Sequence, residues 1–318
     1  MNTILSTVAS AWLPALVTLL ALLVGAYTVA ALDRLFALGL RAWRNALLAP
    51  LVEGAALLRQ RATRPTKSDG LLFRTAPLIA LVVAGLTALA LPVGPGVGGF
   101  DPSIGLFYFI VLFSPLIIAV MNAGWSQNAN VGVFATFRAA ASLISYEVPL
   151  GFAMIGAPMA AQSLAIGRIV SAQSGLWFAV WQPLGLVIYL ISAFVVCFRH
   201  PFDSPLAGSE LEGGAFAEYS GARLLLFKIA LNAVFLVLLA MGVELFFGGW
   251  QGPWLPGPIW LVSKTLLLAA VVMGLSRFAP RLRHDQMLTL CWKALVPAVL
   301  FNIVLVSVLI ELIYGVSA

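Results

Sequence analysis

One of the twelve acidic residues in this 318-residue chain lies where an acid is costly: Glu147, in Ser145-Tyr146-Glu147-Val148-Pro149-Leu150, sits inside a long apolar run. It falls about ten residues into that run, hence ~15 Å deep at the helical rise, near the middle of a bilayer. An ionised carboxylate there costs at least ~2.5 kcal/mol, so the group turns to the interior of a bundle, finds a partner or keeps its proton. Pro149 follows directly and has no backbone N–H, which leaves a carbonyl open to a side chain or water. The chemistry this permits is proton carriage. The alternative is a hydrogen bond that ties two helices together.

A second constellation runs Arg199-His200-Pro201-Phe202-Asp203-Ser204-Pro205-Leu206-Ala207-Gly208-Ser209-Glu210-Leu211-Glu212 and continues with Glu218-Tyr219-Ser220-Gly221. Four carboxylates and one imidazole gather here in a chain otherwise poor in acids. One reading is a solvated acidic loop. The other, favoured by Pro201-Phe202 and the Leu, Gly and Ala between the acids, is a loop folded back against protein. Lys228 and Lys264 stand inside apolar runs and are candidate counter-charges or relay members. Either could instead extend its ammonium to the interface, Lys228 more readily because it lies nearer a helix end. Cys197 and Cys291 are far apart and offer neither a disulfide framework nor metal-ligand spacing, so no metal is expected.

The elements that must position these groups follow from composition. The chain is 62% hydrophobic and 9% charged, with a mean hydropathy of +1.03, against roughly 25% charged residues in soluble domains. So few charges cannot cover a water-soluble fold. A hydrocarbon core needs about 20 apolar residues per helix, and eight runs qualify, near 11–31, 76–93, 104–121, 137–160, 176–198, 221–247, 257–275 and 294–314. The expected fold is an all-α integral membrane protein of about eight transmembrane helices, forming one polytopic domain over 1–318.

The net charge of +6 does not point to nucleic acid, because the basic residues cluster in loops beside the apolar spans. The segment after the first span carries Arg34, Arg41, Arg44, Arg59, Arg61, Arg64, Lys67 and Arg74, and the last loop carries Arg277, Arg281, Arg283 and Lys293. The opposite loops contribute only Arg168. The positive-inside rule then predicts cytoplasmic loops near 33–75, 122–136, 199–220 and 276–293, with both termini on the other side. An even number of spans agrees. Met1 to Ser10 hold no Lys or Arg, and no small-residue cleavage site follows, so the first span is expected to be retained. Within the first cytoplasmic segment Leu40, Trp43, Leu47, Leu48, Leu51 and Leu58 recur at near-helical spacing among arginines, the pattern of an amphipathic helix lying in the interface. A helix packed on its own loop is the alternative. No internal repeat is evident, which argues against a lone carrier of inverted-repeat design.

Four stretches carry a resemblance. Phe137-Arg138-Ala139-Ala140-Ala141-Ser142-Leu143-Ile144-Ser145-Tyr146-Glu147-Val148-Pro149-Leu150-Gly151 resembles the central signature of the quinone-site membrane subunit family of respiratory complex I, known as subunit 1 or the H subunit. Pro201-Phe202-Asp203 with Ser209-Glu210-Leu211 and Glu218-Tyr219-Ser220-Gly221 is similar to the family's acidic loop. Pro280-Arg281-Leu282-Arg283-His284-Asp285-Gln286 with Trp292-Lys293 is similar to its C-terminal signature, and Gly124-Trp125-Ser126 matches the stretch before the fourth span.

The resemblance implies a membrane subunit of a proton-translocating NADH:quinone oxidoreductase in the bacterial plasma (inner) membrane. In such an assembly this component contributes to the chamber for ubiquinone or menaquinone, under peripheral iron–sulfur and hydrogenase-like subunits and beside other membrane subunits. It implies a coupling or proton-relay role for Glu147, Asp203, Glu210 and Glu218. It implies a quinone-chamber role for Arg138, Arg199, Arg281, Arg283 and Asp285. Quinone is then the substrate, with no flavin or iron–sulfur ligand set expected on this chain. The chain departs from the family where Leu206 and Gly208 replace glutamates, where the opening Arg-x-Gly-Pro-Asn motif is missing, and where Glu53-Gly54-Ala55-Ala56 stands for Asp-Gly-x-Lys. These departures fall on the entrance and lining of the quinone chamber. A second reading is the homologous membrane anchor of an energy-converting hydrogenase or formate hydrogenlyase.

Overall fold

Apolar runs of this length form helices because hydrocarbon offers the backbone no partner, so each N–H must find a carbonyl within its own segment. The computed structural model, which describes residues 2–94, 102–204 and 214–314, follows that rule. In chain order the helices are α1 (Asn2–Leu38), α2 (Trp43–Arg59), α3 (Gly70–Leu89), α4 (Gly105–Phe113), α5 (Leu116–Trp125), α6 (Asn130–Ala161), α7 (Ile166–Ala172), α8 (Phe178–Trp181), α9 (Pro183–Val196), α10 (Gly221–Phe246), α11 (Gly257–Ser276), α12 (His284–Leu290) and α13 (Val296–Tyr314).

Seven segments among the described residues are long and apolar enough to cross a membrane. The eighth expected crossing, 176–198, falls on α8 and α9, of which Pro183–Val196 is a shorter apolar helix. Alone, the 14 residues of α9 extend about 21 Å, short of a hydrocarbon core of about 30 Å. The break falls at Gln182, whose backbone leaves the helical region (φ −124°, ψ 47°), because Pro183 disfavours a helical residue before it. A break at this depth is tolerated when it is covered by protein. Gln182 is only 1% exposed, its N–H donates to the Phe178 carbonyl at 2.8 Å, and its Nε2 donates to the Gly156 carbonyl at 3.2 Å.

Two helices hold the bundle together. Of the α6 window 61% is buried and of the α10 window 50%, against 22% for α1, for α11 and for the last segment. The central pair therefore packs on protein while the others present apolar faces outward. Around α6 lie α5, α9 and α13; around α10 lie α1, α2, α3, α9 and α11. The α5–α6 contact is close enough to exclude a methyl group: a Cβ on Gly124 would fall 1.5 Å from Thr136 Oγ1 and 2.7 Å from the Gly132 carbonyl oxygen. At the same end Asp69 caps α3, its Oδ1 accepting from the Leu71 N–H at 3.0 Å, while its own N–H donates to the Ser126 carbonyl at 3.0 Å.

The α2 helix packs against α1 and α10, and its end meets the start of α10. Trp43, Leu47, Leu48, Leu51 and Leu58 are all exposed on it, each by 46–64%. An outward apolar face on a short helix flanked by arginines suits the boundary between hydrocarbon and headgroups.

Candidate functional site

Where α2 crosses α1 and α10, the three helices enclose a cavity of about 410 Å³ lined mostly by aliphatic side chains of all three. Beside it lies a second cavity of about 220 Å³, lined by Asp33, Arg34, Glu53, Arg199, Lys228 and Asn232 among others. The two share Ala30, Pro50, Glu53, Lys228 and Asn232, so an apolar (outer) cavity adjoins a polar (inner) one. The geometry is pinned at Gly221. Its φ of +62° is one that L side chains rarely adopt, and a Cβ there would lie 3.0 Å from the Gln60 carbonyl oxygen, so only glycine lets α10 start against the end of α2. Ser220 holds the same junction, its Oγ accepting from the Thr63 N–H at 3.0 Å.

Charges in the inner cavity are paired across helices. Arg34 on α1 forms an ion pair with Glu53 on α2, and Lys228 Nζ on α10 lies 4.0 Å from the other oxygen of the same carboxylate. Asp33 is taken by Arg277 from the end of α11 at 2.6 Å. Arg199 donates to Asn232 Oδ1 and lies over the Phe235 ring at 4.9 Å. Of the expected chamber residues Arg199 falls here, and Lys228 joins it. Glu53 falls here too, in the stretch where the resemblance placed a departure at the chamber entrance, whereas Asp33, Arg34, Asn232 and Arg277 were not singled out for this site by sequence reasoning. A signal existed for the two acids: each interrupts a segment that is otherwise apolar or basic.

A second polar group lies at the same end, between α6 and the two loops that follow α9 and α11. Asp203 Oδ2 meets Arg281 Nη2 at 2.5 Å, and Arg138 donates to Ser204 Oγ at 3.3 Å. The loops are stitched by the Leu282 N–H donating to the Pro201 carbonyl at 3.2 Å and by His200 Nε2 at 3.2 Å from the Ala279 carbonyl oxygen. Arg138, Asp203 and Arg281 are thus brought together. Arg283 and Asp285 are exposed at the start of α12, and Glu218 is exposed beside α10. Tyr219, next to it, stacks on Phe73 with ring centroids 4.1 Å apart and donates to the Phe73 carbonyl at 3.2 Å. Burial pushes its phenol up to about 12, against the smaller opposing effects of Ser126 and Arg223. Glu210, with Glu212, Leu206 and Gly208, lies outside the described residues.

From that group a line of contacts runs into the bundle toward Glu147. His284 Nδ1 is 3.5 Å from Ser142 Oγ, Tyr146 OH donates to the Met287 carbonyl at 2.7 Å, and Cys291 Sγ lies 3.0 Å from the Ser145 carbonyl oxygen. Trp292 Nε1 donates to Ser145 Oγ at 3.2 Å. Cys291–Leu295 form a π-helical turn joining α12 to α13, and its wider backbone presents both Cys291 and Trp292 to one residue of α6. Such single turns of π-helix recur at functional sites. Glu147 itself borders a cavity of about 20 Å³ with Phe109, Phe113, Ser114 and Leu238, and its Oε1 is buried with no hydrogen-bond partner among the described residues.

At the opposite end of the bundle Lys264 donates to the carbonyls of Phe247, Gly249 and Gln251 at 2.8, 3.1 and 2.8 Å, which commits all three of its protons. Its Nζ also lies over the rings of Trp177 and Trp260. Nearby, Glu244 is 0% exposed near the end of α10, its backbone carbonyl accepting from Gln173 Nε2 at 2.7 Å. Sequence reasoning passed over Glu244, although it is the sole acid in Gly221–Phe246. No group of three or more His, Cys, Asp or Glu with metal-binding geometry occurs among the described residues.

Residues 13–307 match the family model described as NADH dehydrogenase. Among similar proteins, the NADH-quinone oxidoreductase H subunit numbered 1 of Geobacter metallireducens is 40% identical over 266 residues, covering 81% of each chain. The H subunit numbered 2 of Geobacter sulfurreducens is 38% identical over 268 residues, covering 81% of this chain and 82% of the relative. The H subunit of Dehalococcoides mccartyi is 37% identical over 267 residues, covering 84% of this chain and 75% of the relative.

Proposed function

Because this chain belongs to the NADH dehydrogenase family that includes the H subunit of NADH-quinone oxidoreductase, we propose that its paired cavities between α1, α2 and α10 receive a quinone from the membrane. The carrying observation is the change of lining. A quinone is a polar redox headgroup on an apolar isoprenoid chain, and the 410 Å³ outer cavity is aliphatic while the 220 Å³ inner cavity presents Arg34, Glu53, Arg199, Lys228 and Asn232. The headgroup reaches the inner cavity and the chain stays in the outer one, which opens beside the exposed leucines of α2.

In this reading the α2 end of the bundle is cytoplasmic and both termini lie on the other side of the bacterial plasma membrane. Peripheral electron-carrying subunits cover the α2 end and deliver electrons; other membrane subunits flank the bundle. Arg138, Asp203, Glu210, Arg281 and the exposed Glu218, Arg283 and Asp285 belong to the chamber side, and Glu147 carries protons deeper in the membrane. The contacts from His284 through Met287, Cys291 and Trp292 to Ser142, Ser145 and Tyr146 support a mechanical link between the two. The relatives' names favour quinone over the hydrogenase-anchor reading, in which protons would replace it as acceptor.

The test is photolabelling of the purified assembly with an azido-quinone, followed by peptide mapping. Labels are expected within 50–58 and 225–232 and should be competed away by unmodified quinone. Labelling confined to other segments, or insensitive to competition, would overturn the assignment.

A further inference from the structure

Each helix that builds the cavity mouth contributes one charged side chain to a single cluster: Arg34 from α1, Glu53 from α2 and Lys228 from α10. The carboxylate of Glu53 is divided between the two cations, Oε1 to Arg34 and Oε2 to Lys228. Glu53 and Lys228 line both cavities, whereas Arg34 lines only the inner one. The Glu53–Lys228 contact therefore spans the boundary between the apolar and the polar compartment. We propose that this contact is an electrostatic latch across the mouth, and that Lys228 is the moving half which sets how large a headgroup passes.

The assignment of parts follows from side-chain chemistry and rests on the quinone reading above. Arg34 holds Glu53 by direct contact through a planar, pre-organised guanidinium, while Lys228 reaches it at 4.0 Å on a flexible four-carbon stem. Half-exposed pairs of that length are weakly held, and the side chains here are 48% and 40% exposed. Lys228 can therefore leave while Glu53 stays anchored on α1. It has one carboxylate to return to in the inner cavity, because Asp33, the other acid lining it, is engaged by Arg277 at 2.6 Å. Asn232, one turn along α10, is held by Arg199 and does not compete. A lone lysine pointing into lipid would snorkel to the interface; this one is placed over the passage by a partner on the neighbouring helix.

The experiment compares one-ring benzoquinones with two-ring naphthoquinones of equal chain length, using the complete assembly in proteoliposomes. Lys228→Met should raise kcat/KM for the naphthoquinone relative to the benzoquinone by up to about fivefold, the equilibrium worth of one exposed ion pair. Lys228→Arg keeps the charge and should restore the wild-type ratio. Should Lys228→Met fail to assemble, Glu53→Gln breaks the same contact from α2, together with that to Arg34, and is read by the same headgroup ratio. The double variant should fall short of the sum of the single effects, because the Glu53–Lys228 contact is lost in both. Equal changes for the two headgroups, or effects of the single variants that simply add, would overturn the latch. A wild-type assembly that reduces neither quinone would instead overturn the parent reading.

Discussion

Replacing Glu147 by glutamine separates a proton carrier from a structural tie. The carboxyl borders a cavity of about 20 Å³, room for one water, and Oε1 has no hydrogen-bond partner among the described residues. Glutamine has nearly the same shape and leaves the same polar atom in the same place, so the cost of burial is already present in the wild type. Thermal stability of the assembly should then change by less than about 1 kcal/mol. Leucine, which removes the polar group and keeps the bulk, should be neutral or stabilising for the same reason. Function should move the other way. A positioned proton-transfer group contributes roughly 10²–10⁴ in rate, so coupled quinone turnover and proton pumping should fall by about two orders of magnitude in both variants, with Glu147→Asp milder because it still carries a proton. The assay is turnover and acidification in proteoliposomes at matched subunit content, with a melting curve of the purified assembly alongside. Normal turnover from an unstable complex would refute the argument and make Glu147 a helix tie.

Cysteines at the exposed Lys67 and at Gln251 should react with membrane-impermeant reagents from opposite sides; reaction of both from one side would sink the eight-crossing topology. Asp203→Asn breaks the charge pair with Arg281, seen at 2.5 Å, and should cost about 1–3 kcal/mol of local order and impair coupled activity severely. Glu210→Gln should act similarly and Glu212→Gln should be tolerated, as measured in membranes at matched expression; a silent Asp203→Asn with a damaging Glu212→Gln would make the loop a docking surface. Lys264→Met removes three bonds to carbonyls and should lower the melting temperature by an amount equivalent to about 3 kcal/mol, with the proton-to-electron ratio of surviving complexes unchanged. A changed ratio at unchanged stability would mark Lys264 as part of the relay.

What could be read along the chain was whatever has a one-dimensional signature. Apolar runs marked the crossings, the lone acid at 147 marked a buried group, and leucines at helical spacing marked α2. The fifth crossing shows the limit of that method. Its apolarity is continuous through 176–198, so hydropathy gives one span, whereas the proline at 183 splits the backbone at Gln182. The charge cluster of the mouth was harder to foresee, because Arg34, Glu53 and Lys228 meet only once α10 returns to pack against α1 and α2. A residue-by-residue list finds the ions and not their partners. The π turn at Cys291–Leu295 has no composition of its own; it is visible only as the extra residue that lets Cys291 and Trp292 both reach Ser145.

The missing side chain at Gly124 limits how Glu147 can move. With the α5 backbone seated against Thr136 and Gly132, any rotation of α6 about its own axis would drive a side chain into the space that the glycine leaves. Glu147 is fifteen residues beyond Gly132, a lever arm of about 22 Å at the helical rise, so a tilt of only about 10° displaces the carboxyl by roughly 4 Å while the pivot stays still. That is the difference between one hydrogen-bond partner and the next. The close approach at Gly124 thus fixes α6 at the chamber end, and any change of its angle there would be read out fifteen residues on, at the one acid of the helix.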